Sequence, residues 1–303
     1  MRPHILIAVS LVAGALLLAE AALLLMKRRG GAPEELVRRI RAWWVMSAIF
    51  LGSVLTGSAG TFWMLGILSY LALKEYFTMI PIRPVDRRIV FWSYLTIPLQ
   101  YWWAAIGWYG MIIVWIPVYA FLFLPFRQLL TGVTRGFLEN TGRVQWGLML
   151  LVFSLSHLAA LAALPERNGA DGVEMLLYLV MLTELNDVFQ YLVGKRFGRR
   201  RILPAVSPNK TVEGFAGGVA ATVVLALLLS FLTPFGPAEA AAAGLLIAVA
   251  GFVGDVVVSM VKRDVGIKDA GSLIPGHGGV LDRIDSLTYT APLFFHAVHY
   301  LYY

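Results

Sequence analysis

Residues able to do chemistry crowd into Gly254–Ser286. Asp255, Ser259 and Lys262 stand at i, i+4 and i+7, so a helix would carry them on one face, with Arg263 close by. An aspartate that far into an apolar helix needs a cationic partner, either a metal ion or Lys262 further along. Lys268 and Asp269 follow, then Pro275-Gly276-His277-Gly278-Gly279, then Asp282-Arg283-Ile284-Asp285. Glycines beside a histidine let a backbone approach a ligand closely. Asp282 and Asp285 are three apart, so both can face one site. Mg²⁺ favours one or two carboxylates together with substrate phosphates and water. Asp255 with Asp282 would supply such a site, and the neighbouring cations would meet phosphate oxygens. A Gly-His-Gly-Gly run alone is more often a simple turn; the crowding of lysines, arginines, glycines and carboxylates is what carries the reading.

A second polar group lies upstream. Glu184, Asn186, Asp187 and Gln190 interrupt an apolar span, and Glu184, Asp187 and Tyr191 share a helical face. A charge at mid-membrane costs about 2.5–3.5 kcal/mol, so these carboxylates should face a polar cavity, unless they are hydrated near the span's end. The basic run Gly194–Arg201 can be a topology anchor. Ser207-Pro208-Asn209-Lys210-Thr211-Val212-Glu213-Gly214 says more. Ser207 suits an N-cap and Pro208 the first helical position. A helix start of this kind suits a phosphate, and Lys210 adds a full charge. The spacing is not that of a Walker loop. The residues alone point to metal-dependent chemistry on phosphates at a membrane face.

The elements that must hold these residues are spanning helices. Of 303 residues, 59% are hydrophobic and 14% charged, with a mean hydropathy of +0.74. Soluble domains carry about 25% charged residues, so the solvent here is largely lipid. The chain has no cysteine, which excludes disulfides, thiolate zinc sites and cysteine nucleophiles. Ten apolar segments predict an all-α polytopic bundle of nine to ten transmembrane helices. They lie near Ile5–Met26, Trp44–Ser58, Thr61–Phe77, Ile89–Gly107 and Met111–Phe126, then Val144–Leu164, Val173–Val193, Phe215–Phe235, Ala238–Val261 and Ile284–Tyr302. The first exceeds the length of a signal-peptide core and its charges follow it, so it reads as a retained helix. Glu34–Trp44 reads either as an amphipathic helix on the inner leaflet or as an extension of the second span. Residues 1–180 read as scaffold and lipid-facing helices, and 181–303 as the catalytic region.

With the N-terminus outside, every Lys and Arg of the 25 except Arg2 and Arg167 falls on the inside. The net charge of +7 is thereby explained by cytoplasmic loops and not by nucleic acid. The absence of an organellar presequence favours a bacterial inner membrane.

The stretch from Ser259 through Lys262-Arg263, Lys268-Asp269 and Pro275-Gly-His277-Gly-Gly to Asp282-Arg283-Ile-Asp285 resembles the signature of phosphatidate cytidylyltransferase (CDP-diacylglycerol synthase), and Ser207–Gly214 is similar to that family's second marker. The resemblance is strongest over residues 184–287. It implies that CTP and phosphatidic acid give CDP-diacylglycerol and pyrophosphate with Mg²⁺, alone or joined by a monovalent cation, at the cytoplasmic face of the bilayer. Carried over by motif position, Asp255 and Asp282 would be metal-binding carboxylates. Asp187 and Asp285 would be further metal groups. Lys210, Lys262, Arg263, Lys268 and Arg283 would neutralise phosphate charge. Ser207, Asn209, Thr211 and the turn with His277, Gly278 and Gly279 would shape the pocket, His277 being a general acid or a turn histidine. The resemblance also points to a homodimer. Two departures suggest a divergent branch: Asn186–Tyr191 replaces a small-residue stretch, and Val212 replaces a tryptophan. They bear on the lipid acceptor more than on the chemistry. The rival readings are a CTP-dependent lipid kinase, an anion transporter using the same polar residues, and an inactive homologue.

Overall fold

A computed structural model describes residues 3–28, 31, 33–274 and 278–303. Ten long helices make up the bundle among the described residues. The first five are α1 Pro3–Arg28, α2 Glu34–Leu55, α3 Ser58–Met79, α4 Arg87–Ala105 and α5 Tyr109–Leu129. The second five are α6 Phe137–Ala162, α7 Gly172–Phe197, α8 Val212–Leu228, α9 Pro237–Asp264 and α10 Leu287–Tyr302. Each coincides with an apolar segment of the sequence. Five of them, α1, α5, α6, α7 and α9, are long and apolar enough to cross a membrane by length and composition. The others fall short for visible reasons: α2 opens with Glu34, Glu35, Arg38, Arg39 and Arg41, and α10 has 16 residues. The amphipathic stretch from Glu34 is part of α2, continuous with the span, and not a separate surface helix.

The starts of the helices are written locally. Asp171 caps α7: its Oδ1 accepts from the Glu174 N–H at 2.9 Å, while Glu174 Oε2 accepts from the Asp171 N–H at 2.9 Å. Pro237 occupies the first position of α9, where its missing N–H costs nothing. Both α5 and α6 widen into π turns, at Trp115–Ala120 and Met149–Phe153. The first contains Pro117, which cannot donate to the ladder. In the second helix Ser154 Oγ donates to the Met149 carbonyl five residues back, at 3.0 Å.

The core surrounds α7, where Met175–Leu179 and Leu182 are wholly buried against α8, α9, α10 and the second half of α6. Glycines set the close approaches. A Cβ on Gly214 would lie 2.8 Å from the Gln190 carbonyl, and one on Gly254 would lie 2.7 Å from the Asp285 carbonyl. The outer surface is the reverse of a soluble protein's: Leu18, Trp63, Trp102, Leu138 and Leu228 stand exposed. Such a surface belongs in lipid. One departure from all-α remains, an antiparallel hairpin of β1 Arg201–Leu203 and β2 Ser207–Thr211 between α7 and α8.

Candidate active site

The polar residues of the C-terminal half gather where α7 and α9 finish and α8 begins. Ser207 was expected to cap α8, with Pro208 in its first turn; instead both lie in β2, and Thr211 is the cap. Thr211 Oγ1 accepts from the Gly214 N–H at 3.1 Å. The reason lies in Glu213. Its carboxylate accepts from the N–H groups of Arg199 and Arg200 at 2.9 and 3.1 Å, which draws the chain back into a hairpin and delays the helix. These bonds hold the Glu213 carboxyl well below the usual carboxylate range.

The hairpin places Lys210 over α9. Its Nζ lies 2.7 Å from Asp255 Oδ2 and 4.6 Å from the centre of the Phe252 ring. Asp255 Oδ1 accepts from Ser259 Oγ at 3.1 Å, as their shared helical face requires. The cation facing Asp255 is therefore Lys210 and not Lys262. Lys262 reaches the next segment instead: its Nζ is 2.7 Å from Asp282 Oδ1, the two side chains being 9% and 5% exposed. Asp282 Oδ2 accepts from the N–H groups of Ala270 and Gly279, both at 2.9 Å. Gly278 is required twice, since its φ is +83° and a Cβ there would sit 2.5 Å from Asp282 Oδ2.

Asp187 closes the group from α7. Ser286 Oγ donates to its Oδ2 at 2.8 Å, while its Oδ1 is buried and accepts from no described residue. Asp187, Asp255 and Asp285 are near enough for their charges to interact, with Arg283 beside them. The Arg283 Nε is buried and donates to no described residue. Arg263 points elsewhere: it donates to the Val206 and Ile267 carbonyls and so pins the hairpin turn. Asn209 and Lys268 are exposed, and His277 lies outside the described residues.

Among the described residues no three His, Asp or Glu side chains form a ready-made metal cage. The donors nonetheless suit Mg²⁺, which needs only one or two carboxylates and takes its other ligands from phosphates and water. The unpartnered Asp187 Oδ1, within reach of the Asp255 and Asp285 charges, is the acceptor best placed for a cation. Asp255 and Asp282 each have both oxygens engaged, Asp255 by Ser259 and Lys210 and Asp282 by Lys262 and the Ala270 and Gly279 N–H groups, so either would have to release its lysine to bind a cation.

Two features escaped the sequence. Glu75 comes from α3, far from the polar cluster in sequence. Its Oε2 accepts from the Leu281 N–H at 2.9 Å, at the start of a short helix Leu281–Ile284. Lone carboxylates near a helix end are common, and nothing marked this one. A groove of 660 Å³ also runs beside the site, its apolar wall made by Tyr76, Ile80, Trp146, Met260 and Val261, with Arg143 and Arg263 at its rim.

Comparison with known proteins meets this geometry. An uncharacterised protein of Escherichia coli K12, YnbB, is 44% identical over 271 residues, 89% of each chain. A phosphatidate cytidylyltransferase of Staphylococcus aureus is 30% identical over 254 residues, 81% of this chain and 92% of its own. Another, from Staphylococcus saprophyticus, is 29% identical over the same length. The family model described as "Cytidylyltransferase family" matches residues 37–301, from α2 to the end of α10 and so across every residue of the site, and the chain belongs to that family.

Proposed function

We propose that this membrane protein transfers the cytidylyl group of CTP to phosphatidic acid, giving CDP-diacylglycerol and pyrophosphate. The observation that carries the reading is the pairing of Lys210 with Asp255 and Lys262 with Asp282 around an unpartnered Asp187 oxygen. Two ammonium groups held at one end of the bundle offer counter-charge to a triphosphate and a lipid phosphate together. The lipid phosphate oxygen attacks the α-phosphorus of CTP, forming a P–O bond as the bond from that phosphorus to the β-bridging oxygen breaks. Its electron pair leaves on pyrophosphate. The attacking group is already anionic, so no strong base is needed and no covalent enzyme intermediate arises. Lys210 and Lys262 can exchange their carboxylates for phosphate oxygens by small side-chain movements. Asp187, with the Asp255 and Asp285 carboxylates near it, would hold Mg²⁺, and the ion would supply Lewis-acid neutralisation of the triphosphate.

The site end is read as cytoplasmic because the basic loops gather there. The groove beside Arg263 would take an acyl chain of the acceptor. Its wall is apolar, its volume lies in the range of about 300–1,000 Å³ usual for ligand sites, and Val261 and Arg263 flank Lys262 on α9.

Purified protein in detergent, incubated with α-³²P-CTP, phosphatidic acid and Mg²⁺, should move label into the chloroform phase. Asp282→Asn and chelator controls should not. Label entering lipid only from γ-³²P-CTP would replace this reading with a lipid kinase. No transfer to any lipid phosphate would end it.

A further inference from the structure

Among the described residues, Glu75 is the acidic side chain of the N-terminal scaffold that bonds to the signature segment. Its Oε2 accepts from the Leu281 N–H at 2.9 Å. Two glycines close around the same carboxylate. A Cβ on Gly279 would lie 2.4 Å from Oε2, 2.8 Å from Cδ and 2.9 Å from Oε1 of Glu75, and these are its three nearest atoms. A Cβ on Gly271 would lie 2.9 Å from Glu75 Oε1 and 3.2 Å from Cδ. Neither glycine has a left-handed backbone, so space for Glu75 is what each provides. Gly279 is also one of the two N–H donors to Asp282 Oδ2, and Asp282 in turn holds Lys262. A set of contacts thus runs from α3 through the backbone of Gly279 and Leu281 and the Asp282 carboxylate to the ammonium group of Lys262.

We propose that Glu75 is a positioning residue for the reaction: it fixes the backbone that orients Asp282 and Lys262. A carboxylate is suited to the task because it accepts a charge-assisted bond from a backbone N–H while filling the space two glycines leave. Misplacement of a reacting group by about 1 Å can cost about 100-fold in rate. The kinetic part of this inference rests on the proposed cytidylyl transfer; the structural part does not.

Four variants test it: E75A, E75Q, G279A and E75A/G279A. In E75A, kcat should fall about tenfold to a hundredfold with KM for CTP little changed. E75Q keeps an acceptor oxygen for Leu281 and should retain most of the activity. G279A should be damaging in the wild-type background but add little to E75A, because the obstructing side chain is gone. In parallel, amide hydrogen exchange over 278–282 should quicken in E75A and stay near wild type in E75Q. Equal effects of G279A in both backgrounds would overturn the proposal. So would unchanged exchange over 278–282 in E75A, or a rate loss in E75A that merely follows the loss of folded protein. If wild type transfers no cytidylyl group, the functional reading fails while the exchange arm still decides whether Glu75 anchors the segment.

Discussion

Replacing Lys262 by methionine separates what the Lys262–Asp282 pair does for the fold from what it does for the reaction. At 2.7 Å and an effective dielectric constant near 20, the gross attraction is about 6 kcal/mol. Desolvating two groups that are 9% and 5% exposed consumes most of it, at several kcal/mol per ion. The pair is therefore worth little net, yet breaking it by removing one partner costs about 3–5 kcal/mol. The two single variants should differ. K262M leaves Asp282 with its bonds from Ala270 and Gly279, so its cost should fall near about 3 kcal/mol. D282N strands a buried ammonium group and should approach about 5 kcal/mol. The double variant K262M/D282N keeps an acceptor oxygen for the two N–H groups and removes the stranded charge. Its cost should be smaller than the sum of the singles by at least about 2 kcal/mol. Unfolding in mixed micelles, followed by tryptophan fluorescence, gives the three differences. Cytidylyl transfer should be lost in all three variants. Additive costs, or K262M as stable as wild type, would refute the argument that these two side chains form a buried pair.

Helix approach and acceptor choice give two further expectations. G214A forces a methyl toward the Gln190 carbonyl and the Gly194 Cα, both backbone, so α7 and α8 must part at a cost of about 1–3 kcal/mol; G14A, with nothing within 4 Å, should unfold with wild type. M260W narrows the groove and should lower kcat/KM for long-chain phosphatidic acid about tenfold relative to a short-chain form, as an assay with both acceptors would show. An equal loss for both acceptors would remove the groove from acceptor binding.

Much of this was readable from the chain itself, because in lipid an apolar run long enough to span has to be helical. The five helices long and apolar enough to cross follow from that rule, and Asp255 with Ser259 follows from helical periodicity. Partner choice was not readable. Periodicity offered Lys262 to Asp255 because both are on α9, whereas the hairpin delivers Lys210 there and leaves Lys262 for Asp282. The cap of α8 was misplaced for a related reason. Ser207-Pro208 has the local chemistry of a helix start, but Glu213 reaches back to Arg199 and Arg200 and holds that stretch as a strand. Glu75 left no trace at all, since its meaning depends on two glycines that lie near the other end of the chain.

The separation of Glu75 from Leu281 by 206 residues has a consequence for how the protein is made. At about 5–20 residues per second, α3 waits roughly 10–40 s in or beside the bilayer before its partner amide is synthesised. Through that interval the carboxylate must stay hydrated, and its place four residues before the end of α3 lets it do so. Asp187 waits similarly for Ser286. Both contacts form only when the segment leading into the last helix arrives, so a nascent chain interrupted before that point carries lysines and carboxylates without the geometry that joins them. Assembly of the site therefore waits for the segment that leads into α10.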